Sequence, residues 1–189
     1  MALTNNPDGF DITSNEAFDP TTRFYDWLSY EIINSSPEYC FIPFGTRNLY
    51  ENILNVNKRE VSTTQHDPRF SGDIDVLRRC HFIGATTNDS QSRAEKLYSP
   101  HLPFVHFDEQ WIQFYRSAGF CGERSSVQLL EEKYLEQAFQ CAVSQNIDCE
   151  YSGIAGLGML LQMRESIPNN AKICIVNTGK SAIKAANLL

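Results

Sequence analysis

The sequence has 189 residues, of which 42% are hydrophobic and 21% are charged, and it carries a net charge of -7. This length and composition fit a single globular domain with its own core and exclude an intrinsically disordered chain. The negative charge and the scattered Lys and Arg residues argue against nucleic acid or an anionic membrane surface as the partner. No apolar run is long enough to span a membrane.

The cysteines and histidines bear on the compartment and on metal binding. The cysteines have no C-x-x-C spacing, and several lie in apolar runs, where a thiol acts as a small hydrophobic side chain: Cys40, Cys80, Cys121, Cys141, Cys149 and Cys174. Residues 1–10 lack the features of a signal peptide, so we expect reduced thiols and a cytoplasmic protein. The even count is also compatible with disulfides in a secreted chain. The histidines follow no zinc-binding pattern, and we expect no metal site.

The first half of the chain predicts a helix, a strand and a second helix. Residues 1–22 are predicted to be an irregular lead-in, and residues 23–189 a single α/β domain. Helical spacing predicts a first helix with one apolar face, formed by Phe24, Trp27, Leu28 and Ile32. Residues 39–44 form an apolar run of strand length, which ends in a Gly-Thr-Arg-Asn turn before a helix that begins near Leu49. Residues 57–72 are polar and predict a loop.

The second half alternates strands and helices. One or two helical turns at 74–79 precede a strand at 80–87 and a helix from Ser90 or Ser92 through Tyr98. A short helix around 111–115, a strand at 125–130 and a helix at 132–145 follow. The helix at 154–163 contains Gly156 and Gly158, which indicate close packing on a sheet. The run 173–176 predicts a fully buried strand, and residues 182–189 a last helix.

Apolar strands that alternate with helices predict an α/β fold, with an open, mostly parallel twisted sheet and helices on both faces. Ligands on such sheets bind beyond the carboxyl ends of the strands, where the loops 45–48 and 178–181 are expected. The loop 45–48 would direct backbone N–H groups and the positive end of a helix dipole at a phosphate. A Gly-Thr turn between a strand and a helix is also common as a plain connection.

Three stretches carry a resemblance to one superfamily. Residues 42–49 read Ile-Pro-Phe-Gly-Thr-Arg-Asn-Leu, residues 150–157 read Glu-Tyr-Ser-Gly-Ile-Ala-Gly-Leu, and residues 175–180 read Ile-Val-Asn-Thr-Gly-Lys. In order and spacing they resemble the phosphate loop, the Glu-Pro-Ser-Gly-x-Ala-x-Leu helix start and the Thr-Gly turn of the fold-type II pyridoxal-phosphate enzymes. This superfamily includes threonine synthase, threonine dehydratase, cysteine synthase and the tryptophan synthase β chain.

The resemblance implies that pyridoxal 5'-phosphate is the cofactor. Backbone amides of the loop would hold its phosphate with the Thr46 hydroxyl as a further donor, and the Thr178 hydroxyl would lie beside the pyridine nitrogen. Glu150 and Ser152 would line the ring face or a nearby cation site. The implied cofactor-binding residues are Gly45, Thr46, Arg47, Asn48, Leu49, Glu150, Ser152, Thr178 and Gly179.

Two departures from the family pattern affect the functional prediction. Arg47 and Asn48 stand where the family loop has glycines, so their side chains are expected to block a phosphate, with an ion pair from Arg47 as the alternative. Family members also have an N-terminal portion whose lysine anchors the cofactor, and no lysine here matches that motif: Lys58, Lys96, Lys133, Lys172, Lys180 and Lys184. We therefore expect the C-terminal half of a lyase or synthase for a small hydroxy amino acid, with no catalytic residue of its own and no activity alone.

Two other interpretations stay open. The chain is alternatively a non-catalytic remnant that acts as a dimerisation or partner-binding module, or a flavodoxin-like domain that binds a small phosphate ligand at residues 45–48. A half-domain would expose a sheet edge and apolar surface. We therefore expect a homo-oligomer, or a missing N-terminal half as the partner.

Overall fold

The computed structural model describes residues 25–98 and 103–179, with side chains for all of them except 103–108. The strands are β1 (Tyr39–Pro43), β2 (His81–Thr86), β3 (Ser126–Leu129) and β4 (Ile173–Ile175). The helices are α1 (Asp26–Asn34), α2 (Asn48–Ser62), α3 (Ile74–Leu77), α4 (Pro103–Ser117), α5 (Glu132–Ser144) and α6 (Ala155–Met163), with short 3-10 turns at Glu95–Leu97 and Arg164–Ser166. The expected lead-in 1–22 and the expected last helix 182–189 lie outside the described residues.

The four described strands form one sheet in the order β3-β2-β1-β4, and every pair is parallel. β1 is paired on both sides, since Phe41 lies opposite Ile83 of β2 and Ile175 of β4. The prediction of an α/β fold with a parallel sheet is therefore confirmed. Parallel pairing also brings the carboxyl ends of these strands to the same edge of the sheet.

Helices cover both faces of the sheet, as predicted. All five residues of β1 are buried, and its side chains alternate between two cores. Cys40 and Ile42 belong to one core together with residues of α1 and α2, whereas Phe41 packs with Met159 of α6 and Leu135 of α5 in the other. This alternation explains why β1 is hydrophobic throughout rather than at every second position.

Helix α6 packs on β1 with almost no space between the two backbones. A Cβ atom added at Gly156 would lie 2.7 Å from the carbonyl oxygen of Phe41 and 3.4 Å from that of Val176. A Cβ atom at Gly158 would instead meet the side chain of Leu130 at 3.1 Å. The close approach predicted from these glycines is confirmed, and Gly156 is the position where it involves the sheet backbone.

The prediction of a loop at 57–72 is wrong for its first part, because α2 continues to Ser62. Two of its polar residues, Asn57 and Glu60, are buried. The Asn57 amide donates to the Phe120 carbonyl at 2.8 Å, and buried Glu60 accepts a hydrogen bond from the Tyr30 hydroxyl at 2.6 Å. Polarity therefore did not indicate exposure here, since the Asn57 NH2 group and the Glu60 carboxylate have internal partners, whereas the buried Asn57 Oδ1 accepts no hydrogen bond from the described residues.

Two further expectations differ from the structure. The helix expected from Ser90 or Ser92 through Tyr98 is a series of turns with a single 3-10 turn, because Asp89 and Ser92 side chains accept hydrogen bonds from nearby backbone N–H groups and compete with a helix. Strand β4 is not fully buried. It lies at the end of the described sheet, and Ile173 and Ile175 are 38% and 37% exposed.

The packing of α6 predicts different responses to two similar substitutions. Gly156→Ala should lower the free energy of unfolding by about 1–3 kcal/mol, because its methyl group would overlap a backbone carbonyl that has no freedom to move. In Gly158→Ala, the gain in helix propensity of about 1 kcal/mol offsets a contact with a movable side chain, so its stability should stay close to wild type. Urea unfolding of both variants measures the difference, and equal stabilities would contradict the described contact.

Candidate functional site

The loop 45–48 joins the carboxyl end of β1 to the start of α2. Phe44 N–H donates to the Ala85 carbonyl at 2.8 Å, which holds the start of the loop against β2. Arg47 caps the helix with a left-handed backbone conformation (φ 63°, ψ -21°), and Glu51 N–H donates to its carbonyl at 2.8 Å. The amides of the first helical turn thus point toward the carboxyl edge of the sheet, where the helix dipole favours negative charge.

Arg47 keeps the backbone shape of a glycine although it carries a large side chain. The left-handed conformation costs a non-glycine residue about 1–2 kcal/mol. Its Nε atom lies 3.3 Å from the carboxylate of Glu51 in the next turn of α2. Burial raises the pKa of Glu51, and the positive charge of Arg47 opposes this rise. The guanidinium therefore has an ion-pair partner in the next turn of its own helix.

The turn 150–153 and the loop 177–179 are in direct contact. Glu150 N–H donates to the Gly179 carbonyl at 3.3 Å, and Thr178 N–H donates to the Gly153 carbonyl at 3.3 Å. A Cβ atom at Gly153 would lie 2.4 Å from the Gly179 oxygen, so the two backbones meet where no side chain fits. Ser152 is buried beside this contact, whereas Thr178 is exposed.

Lys96 connects these two segments to the loop 45–48. A Cβ atom at Gly45 would lie 2.9 Å from the Lys96 carbonyl oxygen, and the Lys96 Nζ atom lies 2.5 Å from the Glu150 carboxylate. All three predicted segments therefore lie at one edge of the sheet, with a lysine between them. Sequence reasoning missed Lys96, because a helix at 90–98 would have placed it on a solvent-facing surface.

The segment 87–98 that carries Lys96 is fixed to α5 by its side chains. The Ser92 hydroxyl donates to the Glu132 carboxylate, and Arg93 forms an ion pair with Glu136. The Tyr151 hydroxyl donates to the same Glu136 carboxylate at 3.0 Å. These contacts hold the segment beside the turn 150–153.

A second cluster that the sequence did not reveal lies between α1 and α2. The Ser29 hydroxyl donates to Asn52 Oδ1 at 2.5 Å, and the Asn52 amide donates to the Asp26 carboxylate at 3.0 Å. Glu60, fully buried, also lies 3.2 Å from His66 Nδ1. Burial, reinforced by the hydrogen bond to Glu60, raises the pKa of Tyr30 well above its ordinary value. The members of this cluster bind one another, which explains it as a stabilising contact between two helices.

Within residues 25–98 and 103–179, no group of three or more His, Cys, Asp or Glu side chains is arranged to hold a metal ion. None of the helices in these ranges is both long and apolar enough to cross a membrane.

Comparisons with known proteins give one partial similarity. The chain is 32% identical over 110 residues to the pesticidal crystal protein Cry20Aa of Bacillus thuringiensis subsp. fukuokaensis. The matched residues cover 53% of this chain and 14% of that protein, so the chain spans a small part of the length of this curated relative. No protein-family model matches the chain, and no solved structure matches it.

The left-handed conformation of Arg47 predicts that a glycine variant at this position is more stable than an alanine variant. Arg47→Gly and Arg47→Ala both remove the ion pair with Glu51, but glycine adopts a positive φ without strain. We expect the glycine variant to be more stable than the alanine variant by about 1 kcal/mol in urea unfolding. The matched pair Glu31→Gly and Glu31→Ala, at an exposed position inside α1, should show the opposite order. The same order at both positions would mean that Arg47 is not left-handed.

Proposed function

We propose that this chain binds pyridoxal 5'-phosphate at the edge formed by the loop 45–48, the turn 150–153 and the loop 177–179. In this proposal it is the cofactor-binding part of a lyase or synthase that acts on a small hydroxy amino acid. The observation that carries the proposal is the link between three segments that are distant in sequence. The turn 150–153 and the loop 177–179 are in contact, and Lys96 joins them to the loop 45–48. By the resemblance, the loop 45–48 would hold the phosphate, the turn 150–153 would line the ring face, and the loop 177–179 would contact the pyridine nitrogen. Segments that bind one cofactor must lie close together.

The chemistry of the residues at this edge fits such a ligand. The start of a 15-residue helix supplies amide donors and a positive dipole end, and the exposed Thr46 adds a hydroxyl. The Lys96 ammonium offsets the negative charge of Glu150, which would otherwise repel a phosphate.

The residues of this edge support binding and orientation. When bound, pyridoxal phosphate supplies the electron-withdrawing ring on which elimination and replacement at amino acids depend. Thr178 would offer the pyridine nitrogen of a bound cofactor a hydroxyl rather than a carboxylate, which would leave that nitrogen unprotonated. None of the lysines matches the family's anchoring motif, and we expect no turnover of serine or threonine by this chain alone.

A charge placed at the loop 45–48 tests the proposal. Thr46→Glu puts a carboxylate at the start of α2, where it should weaken pyridoxal phosphate binding about tenfold, equivalent to roughly 1.4 kcal/mol. Ser62→Glu makes the same charge change at the far end of this 15-residue helix, roughly 20 Å away. At that distance, salt largely screens the repulsion between the new carboxylate and the cofactor phosphate. Ser62→Glu should therefore leave the affinity nearly unchanged. An absorbance titration of each purified variant measures the dissociation constant.

Competition experiments separate the possible outcomes of this titration. Inorganic phosphate should displace the cofactor, and pyridoxal without its phosphate should bind far more weakly. Equal weakening by the two glutamates would contradict a site at residues 45–48. Binding of inorganic phosphate with no preference for the cofactor would favour the simpler phosphate-binding domain.

A partner-binding module is the second candidate function. One observation that supports it is the similarity to a segment that makes up only 14% of a longer protein. A second is that both outer described strands carry exposed apolar side chains: Leu129 on β3, and Ile173 and Ile175 on β4. Exposed strand edges of this kind favour pairing with another chain. For this candidate the titration would show no saturable cofactor binding, while sedimentation would show a concentration-dependent oligomer.

A further inference from the structure

Four cysteines from distant parts of the chain belong to the core that β1 shares with α1 and α2. Cys40, Cys80 and Cys121 are buried there, and Cys174 packs against this core from the outer described strand β4. All four are free thiols. Two of them, Cys40 and Cys174, occupy directly opposite positions on neighbouring strands.

The register of the sheet brings Cys40 and Cys174 side by side. Cys174 is the β4 residue that pairs with Cys40 of β1, and both side chains lie on the face covered by α1 and α2. Neighbouring strands are about 4.8 Å apart, which lies within the Cα separation of about 4.4–6.8 Å that a disulfide spans. The two sulfur atoms can therefore bond to each other while the strands keep their pairing.

The two thiols differ in exposure and in acidity. Cys40 is fully buried in β1, whereas Cys174 is partly exposed at the end of the described sheet. The hydrogen bond between the two thiols lowers the pKa of Cys174, and the same bond, reinforced by burial, raises the pKa of Cys40. Cys174 therefore ionises first and is the thiol that solvent reaches. An accessible thiolate is the form of cysteine that peroxides oxidise.

The other described cysteines lack this combination of a partner thiol and access to solvent. Cys80 lies just before β2, two residues from the β2 residue that pairs with Cys40, and burial raises its pKa. Burial also raises the pKa of Cys121. Cys141 is exposed, but it belongs to α5, which contributes to the core on the other face of the sheet, and Cys149 is buried against that helix.

We propose that Cys40 and Cys174 form a thiol pair that hydrogen peroxide oxidises to a disulfide, which fastens β4 to β1. Strand β4 has three residues, and two of its side chains are exposed, so its opening costs less free energy than that of the buried β1. The disulfide joins the strand that leads into the loop 177–179 to the centre of the described sheet. This inference is independent of cofactor binding.

The oxidation consumes one molecule of hydrogen peroxide and proceeds in two steps. The Cys174 thiolate attacks a peroxide oxygen, a sulfur–oxygen bond forms as the oxygen–oxygen bond breaks, and the departing hydroxide takes up the proton that the thiol released. The Cys40 sulfur then attacks the Cys174 sulfur. A sulfur–sulfur bond forms as the sulfur–oxygen bond breaks, and the oxygen leaves with the Cys40 proton as water. The thiols lose two electrons in total, and the peroxide is reduced to two waters.

Oxidation of the full chain under native conditions tests the proposal. One equivalent of hydrogen peroxide is added, the remaining thiols are alkylated, and the disulfide-linked peptides are identified by mass analysis. We expect the Cys40–Cys174 link in about tenfold excess over any other, because these two thiols are held together. The Val176 N–H donates to the Phe41 carbonyl at 2.9 Å. It should exchange with deuterium about tenfold more slowly after oxidation, as measured by NMR, and dithiothreitol should reverse both effects.

Three variants separate this pair from the other thiols. Cys174→Ser changes a partly exposed residue and should lose both the disulfide and the slower exchange. Cys141→Ser, which removes an exposed thiol on α5, should match wild type. Cys40→Ala should leave Cys174 as a sulfenic acid that dimedone labels. A link through Cys80, an undiminished intramolecular link in Cys174→Ser, or no intramolecular link in wild type would overturn the proposal. A Cys40–Cys174 link with unchanged Val176 exchange would overturn the fastening of β4.

Discussion

The parallel pairing of β1 with strands on both sides is the constraint on which the rest of the structure depends. Because β1 is buried on both faces and bonded along both edges, its position determines those of β2 and β4. Parallel pairing then brings three chain segments to one edge: the loop 45–48 after β1, the segment 87–98 after β2 and the loop 177–179 after β4. The candidate site is thus a consequence of strand order, and its residues need not be close in sequence.

The contact of α6 with β1 supplies the fourth segment of this edge. Since Gly156 lets the helix approach the Phe41 carbonyl, the turn 150–153 before α6 reaches the loop 177–179, where Gly153 lies against Gly179. Two close backbone contacts, at Gly156 and Gly153, therefore determine where Glu150 and Ser152 lie. A larger residue at either glycine would move the helix start away from the sheet, and with it the carboxylate that holds Lys96.

The sequence predicted the parts of the fold that depend on regular hydrophobic patterns. The apolar runs of β1 and β2 and the apolar face of α5 are local signals, and each corresponds to an observed element. Residues 57–62 were missed because the hydrogen-bond partners of the Asn57 NH2 group and of Glu60 come from other helices and loops. Lys96 was missed for a similar reason. Its position beside the candidate site depends on contacts with Gly45 and Glu150, and no local pattern encodes contacts over such separations.

In the loop 45–48, a residue other than glycine adopts a backbone conformation that glycine favours. Arg47 occupies a left-handed conformation that costs it about 1–2 kcal/mol relative to glycine, yet the strand before it and the helix after it impose that conformation. The ion pair with Glu51 keeps the long side chain on α2. The Arg47 side chain therefore affects the charge near the loop more than the shape of its backbone. An anion that binds through backbone amides would retain its donors, whereas selectivity among anions would depend on the cations nearby, such as Lys96, which donates to Glu150 across the edge.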